Sequence, residues 1–370
     1  MSKPVKNTLF ILLLVLGACT AQTNNSIKIG FVSPLTGEAA TYGTDDKNAV
    51  LLALEDINSA GGINGRPLEV VFEDSKCEPK TAATAASKLV DVDKVKIILG
   101  SECSGDTLAM APITEQNKVL LFSAGATNPD VRNAGDYVFR NVPSDELTGK
   151  QLAETLSVRN ARVAIITEDT DYGQGLRKVF VENAQRLNLP MIADEVYNAG
   201  TTDYRAQLSK IKSTDADTLF INPQADAAAA RILRQANELG LSTKYAMIYM
   251  AGSDSVKEAI KQENITNLLW VYYPELNSPE GIALVKRHEQ KFGTKPNYNI
   301  WMAVSYDRTR ILANALKQCG EDTSCIKDWL YAIPPYKGVT GTVSFDDKGD
   351  VLGLHHAVFE LQGNETVQIV

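Results

Sequence analysis

Residues 95–129, VKIILGSECSGDTLAMAPITEQNKVLLFSAGATNP, contain one full repeat of the pattern that decides the fold. Two short apolar runs, at 95–100 and 119–123, have the composition of strands that are covered on both faces. The segment between them, 105–117, has a helical pattern. A strand, a helix and a second strand in this order indicate a parallel βαβ unit.

The same alternation continues on both sides of this unit. Strand-like runs occur at 27–35 and 68–74 before it, and at 162–169, 217–222 and 244–250 after it, with helical patterns between them. Because single cores stop growing at about 250–300 residues, a chain of 370 residues has material for two. The sequence therefore predicts an α/β fold with two doubly wound parallel-sheet lobes.

Two local features carry more detailed predictions. Thr44 is a suitable N-cap and is followed by Asp45 and Asp46, so the first helix is expected to begin there. The run KYAMIYM, residues 244–250, is expected to form a strand.

The first nineteen residues, MSKPVKNTLFILLLVLGAC, differ from the rest. Two lysines precede a short apolar run, which is typical of a secretory signal. The run is too short to favour a membrane span, which needs about 20 apolar residues. Its ending resembles a bacterial lipobox, which implies a signal peptide at 1–18, lipidation of Cys19 and a polar tether at 19–26. A plain signal peptide followed by an unmodified Cys19 is the alternative.

Charge and cysteine content narrow the function classes. The chain has a net charge of −8, and removal of 1–18 would make it more acidic, so nucleic acid is not an expected partner.

Four further cysteines outside the cytoplasm suggest two disulfides, for which three connectivities are possible. Cys319 and Cys325 bracket a turn-like loop, which leaves Cys77 with Cys103. No metal site or cofactor is expected, because the sequence lacks CxxC and HExxH spacings.

Two strand ends carry small hydroxyl residues where a ligand could approach the main chain. They are 97–107 and 120–129, which contain Ser104 and Thr127. Main-chain N–H groups at helix N-termini bind anions. Phosphate-loop motifs are absent, so a carboxylate is the expected guest; simple capping of helices and turns is the alternative. The nucleophile-elbow pattern is also absent, and the chain is not expected to be an enzyme.

The chain resembles the leucine/isoleucine/valine-binding protein family over its whole length after the leader. The similarity is carried by INSAGGINGRPLEVVFEDSKCEPKTA, GSECSGDTLAMAPITE, SAGATNPD, DTDYGQGL and SYDRT, in this order and spacing. It implies a type I periplasmic-binding-protein fold in which three crossovers join the lobes. The expected limits are 27–145 plus 277–352 for lobe 1, and 146–276 plus 353–370 for lobe 2.

The resemblance also implies a set of site residues. Cys77 and Cys103 match the family's disulfide. Ser104, Gly125 and Thr127 would bind the α-carboxylate of an amino acid, and Asp254 would pair with its ammonium group. The further cleft positions are Tyr42, Tyr172, Gln224 and Trp301.

Three positions depart from the branched-chain pattern. Asp254 is shorter than the usual Glu, and Gln224 stands where an aromatic residue is common. Glu102 adds an acid beside Ser104. If Glu102 points into the cleft, a larger or more polar ligand is expected; orientation to solvent or pairing with Lys or Arg is the favoured alternative.

The resulting functional prediction is a monomeric, lipid-anchored solute-binding protein outside the cytoplasm. It would capture a free amino acid, hydrophobic or branched-chain, and deliver it to the permease of an ABC transporter. The alternatives are a sensing module for a receptor partner and a binder of an amide or an aromatic acid. An enzyme on a doubly wound fold is a third hypothesis, but it lacks a catalytic set.

Overall fold

The computed structural model describes residues 26–274, 276–363 and 365–369. The predicted signal peptide and the predicted lipidation at Cys19 lie outside the described residues. Of the helices within the described ranges, none is long and apolar enough to cross a membrane.

The described chain alternates strands with helices, as the sequence predicts. The strands are β1 (Ile27–Ser33), β2 (Leu68–Asp74), β3 (Ile97–Gly100), β4 (Leu120–Ser123), β5 (Val138–Arg140), β6 (Val163–Asp169), β7 (Met191–Asn198), β8 (Thr218–Asn222), β9 (Lys244–Ile248), β10 (Asn267–Tyr272), β11 (Tyr336–Gly338), β12 (Gly341–Phe345), β13 (Val351–Leu352), β14 (Ala357–Gln362) and β15 (Glu365–Gln368). The helices are α1 (Ala40–Ser59), α2 (Pro79–Asp91), α3 (Ser104–Gln116), α4 (Asp145–Val158), α5 (Asp171–Arg186), α6 (Arg205–Lys212), α7 (Asp226–Glu238), α8 (Asp254–Gln262), α9 (Pro279–Phe292), α10 (Asn299–Cys319) and α11 (Thr323–Tyr331).

Two sheets form the centres of two lobes, which confirms the predicted fold class. The sheet of lobe 1 is parallel and has the order β2-β1-β3-β4-β5. The sheet of lobe 2 has the order β15-β14-β10-β9-β8-β6-β7, in which β14 and β15 are antiparallel additions. A small antiparallel sheet, β11-β12-β13, adjoins lobe 1 through Arg140 and Asp350.

The described chain passes between the two lobes three times, after β5, β10 and β13. Helix α4 packs against α5 of lobe 2, whereas α9 and α10 return to pack against α1 of lobe 1. The last crossing leads into β14, which pairs with β10. These crossings place the carboxyl ends of the parallel strands of both lobes beside the same cleft, which is where ligands bind in open α/β sheets.

The first helix begins earlier than predicted. It starts at Ala40, so Thr44 lies inside it and is not an N-cap. The extra turn brings Gly43 against lobe 1: a Cβ there would lie 1.9 Å from the carbonyl oxygen of Pro34. Because the helix is extended, Asp45 and Asp46 lie in its interior and are buried.

Both cysteine pairs form disulfides, Cys77–Cys103 and Cys319–Cys325, as the sequence predicts. Their Cα atoms are 5.6 Å apart in each case, within the usual range. Cys103 is the residue that precedes α3, so the first disulfide ties the start of this helix to the segment after β2.

Candidate ligand-binding site

A cavity lies between the carboxyl ends of the strands of the two lobes. Its walls include residues that follow β3, β4, β8 and β9. A larger surface cavity beside Thr218 and Lys244 lies at the opposite ends of the lobe 2 strands, away from the expected ligand position.

The lining residues come from both lobes. Those from lobe 1 are Tyr42, Glu102, Gly125, Thr127 and Trp301, and those from lobe 2 are Tyr172, Gln224, Tyr249 and Met250. The structure therefore brings together the predicted site residues except Ser104 and Asp254.

Aromatic rings form the apolar wall of the cavity. The ring of Trp301 has its centroid 5.5 Å from that of Tyr42, 5.4 Å from that of Tyr298 and 5.0 Å from that of Tyr249. Tyr249 belongs to lobe 2 and the others to lobe 1, so the wall crosses the cleft. Burial raises the pKa of the Tyr42 and Tyr249 phenols well above the ordinary value, which keeps both neutral.

Main-chain N–H groups at the end of β4 are largely used within the protein. Those of Gly125 and Ala126 donate to Ser123 Oγ, at 3.2 and 2.9 Å. The N–H of Asn128 donates to Ser104 Oγ at 3.1 Å. Ser104 is thus buried and joins the ends of β3 and β4, but it does not line the cavity. The expectation of exposed N–H groups along this stretch is wrong at these three positions.

Thr127 reaches the cavity and is also linked to Tyr249 of lobe 2 through Asp145. Its hydroxyl donates to Asp145 Oδ2 at 2.6 Å, and Asp145 is the first residue of α4. The hydroxyl of Tyr249 donates to the other oxygen of Asp145 at 3.2 Å. Burial raises the pKa of Asp145, and these hydrogen bonds oppose that rise.

Glu102 points into the cavity, against the favoured expectation that it faces solvent or pairs with a cation. It is only 9% exposed, and its Oε1 atom has no hydrogen-bond partner among the described residues. Burial, followed by the nearby Asp46 carboxylate, raises its pKa well above the ordinary value, while Arg308 opposes the rise.

Other buried acids surround the cavity. Burial raises the pKa of Asp45 to about 7, although its carboxylate accepts a hydrogen bond from the N–H of Tyr298. Burial also raises the pKa of Asp226, whose Oδ2 atom accepts a hydrogen bond from Ser255 Oγ at 3.1 Å. Proteins keep such carboxyl groups buried only when they are hydrogen-bonded or neutralised.

The two buried arginines near these acids are already engaged. Arg140 makes a two-pronged contact with Asp350, at 2.6 and 2.8 Å. Arg308 donates to Asp46 Oδ1 at 2.5 Å and to the carbonyl oxygen of Phe122 at 3.3 Å. Carboxylate acceptors are therefore common near the cavity, whereas the guanidinium groups of Arg140 and Arg308 already pair with Asp350 and Asp46.

The lobes touch on more than one side of the cavity. The side-chain amide of Asn128, in lobe 1, donates to the carbonyl oxygen of Asp171, in lobe 2, at 2.6 Å. Arg231 of α7 pairs with Glu38, in the segment before α1, at 2.8 Å. These contacts close the cleft around the cavity.

A sequence model of the family described as periplasmic binding protein matches residues 26–364. The chain belongs to this periplasmic binding protein family. Membership places the protein outside the cytoplasm, and the family is one of binding proteins. One curated relative of this binding protein is the leucine-, isoleucine-, valine-, threonine- and alanine-binding protein of Pseudomonas aeruginosa. The two are 27% identical over 97% of this chain and 96% of the relative.

Solved structures agree with the fold of this binding protein. The branched-chain amino acid substrate-binding protein LivJ of Streptococcus pneumoniae, in complex with isoleucine, is 28% identical with a TM-score of 0.81, over 93% of this chain and 100% of that one. The leucine-binding protein LivK of Thermotoga maritima is 26% identical with a TM-score of 0.81, over 93% of this chain and 98% of that one.

The position predicted for the ammonium-binding acid needs correction. Asp254 is exposed at the start of α8 and does not line the cavity of this binding protein. The run 244–250 is not all strand: β9 ends at Ile248, and Tyr249 takes a left-handed backbone conformation with φ 63°. The chain therefore turns into the cleft before Asp254 is reached.

Sequence reasoning missed Tyr249 and Met250, which occupy this side of the cavity. A tyrosine in the left-handed region is unusual and marks a local constraint. A sequence signal for them is the run KYAMIYM itself, which is two residues longer than the strand β9 that it contains.

Replacement of Asp254 by alanine is expected to leave ligand affinity within about twofold, because exposed side chains away from a site change free energies by about 0.5 kcal/mol or less. Isothermal titration of the wild type and Asp254→Ala with l-leucine measures this. A loss of affinity of tenfold or more would return Asp254 to the site.

Proposed function

We propose that this protein captures a free amino acid, hydrophobic or branched-chain, between its lobes and delivers it to the permease of an ABC transporter. The observation that carries the proposal is the cavity between the lobes, which is lined by Tyr42 and Trp301 of lobe 1 and by Tyr172 and Tyr249 of lobe 2. Apolar aromatic walls with a few polar groups are typical of sites for small amphipathic ligands.

The relatives support an amino acid as the ligand. LivJ of Streptococcus pneumoniae was solved with isoleucine, and the relative from Pseudomonas aeruginosa is named for binding five amino acids with small or branched side chains.

Transport requires that ligand binding shift the equilibrium between the open and closed arrangements of the two lobes. A ligand that contacts both lobes binds the closed form better than the open form and shifts the population towards it. We propose that the permease recognises this closed form. The proposed limits are 27–145 plus 277–352 for lobe 1, and 146–276 plus 353–370 for lobe 2.

We also propose that Cys19 carries a lipid that anchors the protein to the membrane. In cells grown with an alkyne-labelled fatty acid, the wild type is expected to incorporate label and to sediment with membranes. Cys19→Ser should lose the label and appear in the soluble fraction. If the wild type incorporates no label, Cys19 is not lipidated, and the alternative of a plain signal peptide is correct.

A thermal-shift panel of the twenty amino acids, simple amides and small aromatic acids tests the proposed function. A ligand at 100 times its Kd stabilises the folded state by about 2.7 kcal/mol. Leucine, isoleucine or valine is expected to give the largest increase in melting temperature. If no amino acid raises it, or if an amide or aromatic acid alone does, the proposed ligand class is wrong.

A further inference from the structure

The segment 125–128, which follows β4, is buried, and its main-chain N–H groups are paired with one exception. Those of residues 125, 126 and 128 donate to serine hydroxyls. The N–H of Thr127 has no hydrogen-bond partner among the described residues, although Thr127 is only 1% exposed. Buried N–H groups are almost always paired in folded proteins, so a free one in the wall of a cavity indicates a donor reserved for a ligand.

The carbonyl oxygens of the same segment are held from inside the protein. Arg140 Nη1 donates to the carbonyl oxygen of Ala126 at 3.2 Å and to that of Asn128 at 2.8 Å. The N–H of Asp145 donates to the carbonyl oxygen of Thr127 at 2.9 Å. Three successive peptide planes are therefore fixed in direction by partners outside the segment.

The peptide bond between Ala126 and Thr127 connects the two observations. It is trans, so its carbonyl oxygen and its N–H point in opposite directions. Because Arg140 holds the carbonyl oxygen of Ala126, the N–H of Thr127 leaves the segment on the side opposite to the guanidinium group. Arg140 is fully buried and does not line the cavity, whereas Thr127 does.

The guanidinium group of Arg140 is itself fixed in direction. Its Nε and Nη2 atoms donate to the two oxygens of Asp350, at 2.6 and 2.8 Å, which leaves Nη1 for the two carbonyl oxygens. The donors of an arginine lie in one rigid plane, so the pair with Asp350 sets where Nη1 points. A lysine at this position could pair with Asp350, but it lacks the planar fork that reaches both carbonyl oxygens.

We propose that Arg140 is a positioning residue of the ligand site: by holding the carbonyl oxygens of Ala126 and Asn128, it turns the N–H of Thr127 into the cavity, where this N–H donates to the carboxylate of the ligand. The family resemblance implies that Thr127 contacts the carboxylate, but it assigns no role to Arg140. The proposal rests on the proposed function, since it takes an amino acid as the ligand. A carboxylate at this position supplies the acceptor that the buried N–H lacks.

The test compares the wild type with two variants of Arg140. Arg140→Lys keeps a cation beside Asp350 without the planar fork. Arg140→Met/Asp350→Leu replaces the whole buried pair by apolar groups, a change that is often neutral for stability, and it keeps the test decisive if the lysine variant does not fold. The control is Arg132→Met. Arg132 donates to the same Asp350 carboxylate at 3.0 Å but makes no hydrogen bond to the described segment 125–128.

Two measurements are made on each protein. Calorimetric titration gives the affinity for l-leucine, and the amide NMR spectrum of protein containing isotope-labelled threonine reports on the N–H of Thr127, whose signal is the one that Thr127→Ser lacks. In the wild type and in Arg132→Met, saturating leucine should move this amide proton downfield, because it gains a hydrogen bond to a carboxylate. Both Arg140 variants should bind leucine about ten- to a hundredfold more weakly, the range for a charge-assisted hydrogen bond, and their Thr127 signal should move less. Melting curves of the ligand-free variants verify that they are folded.

Other outcomes overturn the assignment. Affinity within about twofold of the wild type in both Arg140 variants, or an equal downfield movement of their Thr127 signal, would make the role of Arg140 purely structural. A loss of affinity in Arg132→Met as large as in Arg140→Lys would assign the effect to Asp350 and not to the carbonyl contacts. A wild-type Thr127 signal that stays in place while leucine binds would contradict the assignment and leave the proposed function intact. If no amino acid of the thermal-shift panel binds the wild type, the proposed function fails, and the assignment fails with it.

Discussion

Replacement of Arg308 by methionine is expected to destabilise the protein by about 3–5 kcal/mol, the usual effect of removing one partner of a buried ion pair. Arg308 is fully buried and pairs with Asp46, which is 1% exposed. Without the guanidinium group, Asp46 would remain buried beside Glu102 with no cation. The melting temperature of the ligand-free protein should fall by roughly 4–7 °C.

Two further variants make this result specific. In Arg308→Met/Asp46→Leu the whole pair is replaced by apolar groups, which should recover most of the loss. Arg287→Met removes a partly exposed pair with Asp56 and should cost about 1 kcal/mol or less. Equal melting temperatures for Arg308→Met and Arg287→Met would show that the buried pair does not hold lobe 1 together.

Replacement of Trp301 by alanine is expected to weaken leucine binding at least about 30-fold, corresponding to the 2 kcal/mol or more of a buried aromatic anchor. Trp301 is 8% exposed and contacts Tyr42 of its own lobe and Tyr249 of the other. Its loss would open the apolar wall and remove a contact that forms only when the lobes are closed. Isothermal titration at 25 °C measures the change.

The control for this variant is Trp329→Ala. Trp329 lies on α11 and packs at the edge of the core, away from the cavity. It should lower the melting temperature without changing the affinity for leucine. If Trp329→Ala weakens leucine as much as Trp301→Ala does, the effect is one of stability, and Trp301 has no special place at the site.

The fold could be predicted because its signals are local and repeated. Most strands of the parallel sheets are short apolar runs, and most are followed by a helical pattern, as in 95–129. The start of α1 was wrong for a reason that is not local. Ala40 and Tyr42 carry no capping signal, and Gly43 permits the extra turn because the helix packs against Pro34.

The site could be predicted only in part. The family resemblance named Tyr42, Gly125 and Trp301 as cleft residues, and the structure has all three at the cavity wall. It could not fix Tyr249, because the turn after β9 depends on one residue with a left-handed backbone. Nor could it show that Glu102 lies beside Asp46, since these residues are far apart in the sequence and only the packing of α1 against lobe 1 brings them together.

The most direct test of the central claim is a crystal structure of the protein grown with l-leucine. The account predicts density for one leucine molecule between the lobes, in contact with Trp301 and Tyr249. Leucine bound outside this cavity, or an empty cavity at a leucine concentration that saturates binding in solution, would contradict it.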